Sequence, residues 1–143
     1  MPRLGLFNMM LGFCVLAIAA AAGAFVATDL TQGFVRDKEI IDSWQLMIDK
    51  SAHGHTNLFA LLHICFGLTL PYSSWKARFK MAQTAGLLLG TLAMGPGMMI
   101  KARILPHDGN NIIDILIGCM LSAALATLFS HSLGMGMKWY RRT

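Results

Sequence analysis

The side chains in this chain that could do chemistry are its five histidines, His53, His55, His63, His107 and His131. Most of them fall within or beside long apolar runs, where an ionisable or ligating group is costly to keep and therefore points to a role. Neutral imidazole is the commonest metal ligand and binds haem iron well. The densest polar stretch is His53-Gly54-His55-Thr56-Asn57, at the start of one such run. Two histidines two residues apart point about 200° apart on a helix, so both face one site only if the helix begins between them. His63, ten residues after His53, lies about 80° around the helix and roughly 15 Å deeper, near mid-membrane. His53, His55 and His107 share the outer level of the bundle, whereas His63 and His131 stand apart from it. The plain alternative for each is an imidazole that satisfies a backbone carbonyl or a polar neighbour; it weighs most for His107 and His131.

The motifs narrow the metal. There is no HExxH, no Cys/His cluster and no carboxylate triad at ligand spacing, which argues against zinc hydrolysis. The absence of CxxCH excludes a covalently attached c-type haem. Two options remain open. One is a b-type haem in an apolar, methionine-rich bundle, with His53, His55, Asn57 and His63 as candidate cofactor-site residues; the other is a copper or zinc site built from His53, His55 and His107. Among eleven methionines, Met94, Met98 and Met99 could line a haem pocket or supply a second axial ligand, although such a stripe is more often packing. Cys14, Cys65 and Cys119 each sit inside an apolar run and carry no redox or metal role in this reading.

The elements that must hold these residues follow from composition. Of 143 residues, 55% are hydrophobic and 13% charged. A soluble domain carries about 25% charged residues, so water is not this chain's only solvent. The same figures exclude disorder, a collagen-like fibre and a disulfide scaffold. The net charge of +5 comes from basic residues that flank apolar runs and form no single patch, which argues against nucleic acid as a partner. A membrane span takes roughly 20 mostly apolar residues. Four candidates meet that length: Leu4 to Thr28, His53 to Tyr72, Met81 to Ile100 and Ile112 to Met137. The expectation is an all-α integral membrane protein, a single domain built as a four-transmembrane-helix bundle. The first span is too long for the apolar core of a signal peptide.

Lysines and arginines are retained on the cytoplasmic side. Arg3, the turn with Lys76, Arg78 and Lys80, and the tail with Lys138, Arg141 and Arg142 fall on one side, so both termini are expected inside. The loop 29–52 holds Arg36, Lys38 and Lys50 against five acids; its Asp37–Lys50 stretch could lie as a short helix along the interface. Lys101 and Arg103 count against this topology. A multi-pass protein of a bacterial-type inner membrane results. Small residues let helices approach in lipid. Ala17 with Ala19 to Ala22 and Gly23, the Gly86/Gly90 pair and the Gly118, Ser122, Ala126 series are more small faces than one bundle needs, which suggests a homo-oligomer. Gly95-Pro96-Gly97 should kink or unwind the third span.

Four spans, a long loop after the first, Ala52-His53 opening the second, Leu70-Pro71 closing it and a basic turn after it resemble the membrane-bound styrene oxide isomerases. The resemblance continues into Gly109-Asn110 and Asp114-Ile115 and covers most of the chain as spaced fragments. It implies a homotrimer with haem b held between subunits and His53 as axial ligand. Its ferric iron would act as a Lewis acid on a small apolar epoxide, opening the ring to an aldehyde. The family's third helix carries an aspartate, an asparagine and a tyrosine; the matching stretch here, Leu89 to Met99, has none of them. A narrower similarity, His55-Thr56-Asn57-Leu58, is to the second helix of haem–copper oxidase and nitric oxide reductase large subunits. It implies His55 as the ligand and electron transfer or gas binding as the function.

Overall fold

The computed structural model describes residues 3–35, 43–104 and 111–141, and every regular element among them is helical. Helix α1 (Arg3–Val35) is followed by α2 (Ser43–Thr69), which a 3-10 turn (Leu70–Tyr72) closes. Then come α3 (Ala77–Leu92), a π-helical segment (Ala93–Gly97), the short α4 (Met98–Ala102) and α5 (Ile112–Tyr140). The stretch 29–52, expected as a loop, is largely helical: α1 runs on to Val35, and Ser43 to Ala52 form the first turns of α2. Of the interfacial helix expected over Asp37–Lys50, residues 37–42 lie outside the described residues and 43–50 belong to α2.

Among the described residues, three stretches are long and apolar enough to cross a membrane: Arg3–Thr28, Ala77–Ala102 and Ile112–Tyr140. The expected second span is not among them, because α2 carries Asp49, Lys50, His53, His55, Asn57 and His63 along its length. The first and third of the three stretches are only 11% buried, whereas Ala77–Ala102 is 44% buried and lies inside the bundle. The outward surfaces of α1 and α5 are accordingly apolar: Phe13, Ile18, Phe25, Leu116, Leu125 and Phe129 are all exposed.

A helix that is apolar all round does not choose its partner by hydrophobicity, so small residues make the choice. On α1, Gly5, Asn8, Gly12, Ala19 and Gly23 fall at the three-and-four spacing of a coiled-coil seam, and this seam packs on α2. A Cβ at Gly5 would lie 2.8 Å from the Gly67 carbonyl oxygen, and one at Gly12 would lie 2.6 Å from that of Ala60. The two backbones touch at both points, and nothing larger than glycine fits. On α3, Gly90 faces the Phe59 ring and Ala124, and Gly86 faces Thr127. The Gly86/Gly90 pair is therefore consumed within the chain by α5 and α2. Gly118, by contrast, faces open space.

Between these pairings sits one apolar cluster of Phe59, Phe66, Leu70, Leu87, Ala93, Met94, Ile117 and Ala124. Pro96 has no N–H to give to the carbonyl four residues back, and the helix widens around it into the π segment, whose i→i+5 pattern skips the missing donor. The helix is thus distorted at the expected Gly-Pro-Gly site, by a π segment and not by an unwound stretch.

Polar ties close both ends of the bundle. At one end, the Trp75 indole donates to the Ser130 carbonyl at 2.7 Å, Lys80 to that of Leu70 at 2.8 Å and Lys138 to that of Pro71 at 2.7 Å. At the other, Trp44 donates to the Ile104 carbonyl at 2.9 Å, Arg103 pairs with Asp49 at 2.9 Å and Lys101 pairs with Asp114. Asn111 caps α5 by accepting from the Ile113 N–H at 3.3 Å.

Candidate functional site

Packing α1 and α3 against the same helix leaves a cleft of about 620 Å³ between them, with α2 at its back. Its volume is that of a small-molecule site. It runs along α1 from Ala27 to Leu11, about 24 Å at the helical rise. Its walls are apolar, with Val15, Ile18 and Ala22 on one side and Leu88, Leu92 and Met99 on the other. Charge is confined to one end, where Asp49, Lys50 and Arg103 form the mouth.

His53 stands just inside that mouth and, among the described residues, is the one histidine lining the cleft. Its ring rests on Gly23, where a Cβ would lie 2.8 Å from Nε2 and closer still to Cε1. The far nitrogen, Nε2, is 3.2 Å from Nδ2 of Asn57, one helical turn on. With the amide oriented so, Nε2 is the bare nitrogen and accepts from Asn57, while the Asn57 Oδ1 is buried without a partner. Asp49, His53 and Asn57 are spaced four apart and share a face of α2.

His55 is exposed on another face, its Nδ1 2.8 Å from the Ser51 carbonyl and 3.3 Å from the Ser51 hydroxyl. The two histidines do not converge. His107 lies outside the described residues, and among the described residues no group of three or more His, Cys, Asp or Glu side chains is arranged to hold a metal ion. Of the three methionines singled out, Met99 lines the cleft, Met94 is part of the buried cluster and Met98 packs against that cluster.

His63 is fully buried, and both of its ring nitrogens are used. Nδ1 is 3.0 Å from Asn8 Oδ1 on α1, and Nε2 is 3.0 Å from Thr91 Oγ1 on α3. The orientation of Asn8 is settled by its other contacts, because Nδ2 donates to the Leu4 carbonyl at 2.9 Å and to Thr84 Oγ1 at 3.0 Å. Only an amide nitrogen can donate to a carbonyl. Asn8 Oδ1 therefore accepts, and Nδ1 of His63 carries a proton. Thr84 passes its own proton to the Lys80 carbonyl at 3.1 Å, so that arm of the network is fully paired. Four polar side chains from three helices thus meet at the back of the cleft, and Thr91 reaches its wall. The sequence pattern does not mark Asn8, Thr84 and Thr91 as one site. Asn8 had a visible signal, as the only amide in the apolar stretch Leu4 to Thr28.

His131 lies at the opposite end, away from the cleft. Its ring packs on Phe66 at 4.4 Å between centroids, and Nε2 is 2.9 Å from Thr69 Oγ1. It is a packed imidazole hydrogen-bonded at Nε2 alone, with Nδ1 buried and unpartnered.

A haem would need one free imidazole nitrogen, a long apolar slot and cations for its propionates. His53, the cleft walls, and Lys50 with Arg103 at the mouth supply these in kind. Ligation would require Nε2 to exchange its bond with Asn57 for the iron, while Gly23 keeps the ring in place. No family model, no curated protein and no solved structure matches this chain.

Proposed function

We propose that the chain is a multi-pass membrane protein in which α2 crosses beside the three apolar stretches, so that both termini lie on the cytoplasmic side, and that it binds haem b in the cleft between α1 and α3 with His53 as axial ligand. The observation that carries this reading is the position of His53. It is a half-buried imidazole on the wall of a long apolar slot, seated on a glycine and with cations at the mouth. When bound, the ferric iron would supply a Lewis acid for a small oxygenated apolar substrate such as an epoxide. The chain's own residues have plainer tasks. Gly23 and Asn57 orient the imidazole, Lys50 and Arg103 face anionic groups, and the apolar walls keep water out, which strengthens any polar contact made inside. The styrene oxide isomerase resemblance supports the same ligand and a homotrimer, and the open small-residue series Gly118, Ser122 and Ala126 leaves a face for such an assembly.

The second reading, electron transfer or gas binding without isomerase activity, draws on Met99, which lines the same cleft and could act as a sixth ligand. Purification of the protein in detergent, with haem b added, tests both. Stoichiometric binding with a high-spin ferric spectrum supports the open catalytic site. A low-spin spectrum that turns high-spin in Met99→Leu supports the second reading. The absence of a Soret band together with stoichiometric copper or zinc binding would overturn both.

A further inference from the structure

Past His53 the cleft carries two hydroxyls, Thr56 and Thr91. Thr56 gives its proton to the Ala52 carbonyl at 2.6 Å, and the hydrogen bonds around Thr91, the deeper of the two, dictate what it can offer a ligand. Thr91 Oγ1 has one proton and two lone pairs. If His63 is neutral, its Nδ1 proton is committed to Asn8, so its bare Nε2 takes the Thr91 proton across 3.0 Å. If His63 is a cation, Nε2–H occupies one Thr91 lone pair, and the Thr91 proton goes to the Leu87 carbonyl at 3.2 Å. In both states the proton is spent inside the protein, at least one lone pair is left, and no other donor among the described residues reaches it. Thr91 can therefore accept from a ligand and cannot donate to one.

We infer that the deep end of the cleft binds a lipophilic alcohol or phenol, whose hydroxyl donates to Thr91 Oγ1 while its apolar body lies between α1 and α3. The flanking Leu11, Val15 and Leu88 present no competing polar group at that depth. An ether, ester or epoxide oxygen, which only accepts, meets an acceptor at Thr91 and is disfavoured at this end of the cleft; the epoxide of the proposed haem chemistry would be held at the His53 end instead. His63 and Asn8 are positioning residues: they hold the Thr91 proton away from the cleft. The inference does not depend on a metal, and it stands or falls whether or not haem binds at His53.

The test is equilibrium binding of 4-hexylphenol and its methyl ether, 4-hexylanisole, to the full chain in nanodiscs, with empty nanodiscs subtracted to remove partitioning. Wild type should bind the phenol about tenfold more tightly, the effect of one hydrogen bond made against one lost. Thr91→Ser should keep the preference and Thr91→Val should abolish it. Equal binding of the two probes to wild type, or binding of neither, overturns the inference without any variant. A preference that survives in Thr91→Val, or in Thr91→Ala if the valine variant does not fold, overturns it as well.

Discussion

The His53 imidazole rests on Gly23, where a Cβ would lie 2.8 Å from Nε2, inside any real Cβ contact distance. The glycine thus does for the histidine what Gly5 and Gly12 do for the α2 backbone: it lets the partner come close. The obstruction at Gly23 is the end of a side chain, so Gly23→Ala should displace the ring and leave the helices packed. The variant is expected to match wild-type helicity by circular dichroism and to bind haem at least tenfold more weakly in a spectral titration.

The glycine contacts also separate structural from silent positions. Gly12→Ala sets a methyl group 2.6 Å from a backbone carbonyl oxygen and Gly67→Ala one 2.5 Å from another, and neither obstacle can rotate away. Each should lower the thermal unfolding midpoint in detergent and shift the protein towards aggregation. Gly54, Gly118 and Gly136 face open space. Alanine at Gly54, which lies on α2 and off the face proposed for assembly, should be neutral or stabilise by up to about 1 kcal/mol through helix propensity.

Removing His63 strands its partners. His63→Leu leaves Asn8 Oδ1 and Thr91 Oγ1 without their ring contacts, at a cost of about 1–3 kcal/mol. The double variant Asn8→Leu with His63→Leu should cost less than the sum of the single changes, because the second substitution removes a group that the first left unpaired. Chemical denaturation of the four proteins in one detergent measures the coupling.

At the mouth, the Arg103 side chain is 58% exposed and that of its partner Asp49 is 20% exposed. Such a pair contributes little to stability, under about 1 kcal/mol. Arg103→Gln should therefore leave the unfolding midpoint nearly unchanged. Together with Lys50→Gln, it should weaken binding of haem b more than that of a haem whose propionates are esterified, as read by competitive titration.

What the sequence reveals here is mostly local. Apolar length marks α1 and α5, and the Gly-Pro-Gly triplet announces the π segment, because both depend on neighbours in the chain. The choice between His53 and His55 is of a different kind: helical geometry places them about 200° apart. Which one faces the cleft is decided by how α1 docks, and that rests on Gly5, Gly12 and Gly23, tens of residues away. The partnership of Asn8 with His63 has the same origin. A lone amide in an apolar helix is visible in the sequence, but its partner depends on the register between helices. The Gly86/Gly90 pair reads as a surface for another copy until α5 is seen to cover it, and the stretch 29–52 reads as a loop because its charges hide the helical continuations of α1 and α2.

The most direct measurement is the absorption spectrum of haem-loaded wild type beside His53→Ala and His55→Ala, each purified identically. Ligation by His53 requires the Soret band to be lost in His53→Ala and unchanged in His55→Ala. Retention of the band in His53→Ala, or its loss in His55→Ala alone, would contradict a haem site in the cleft at His53.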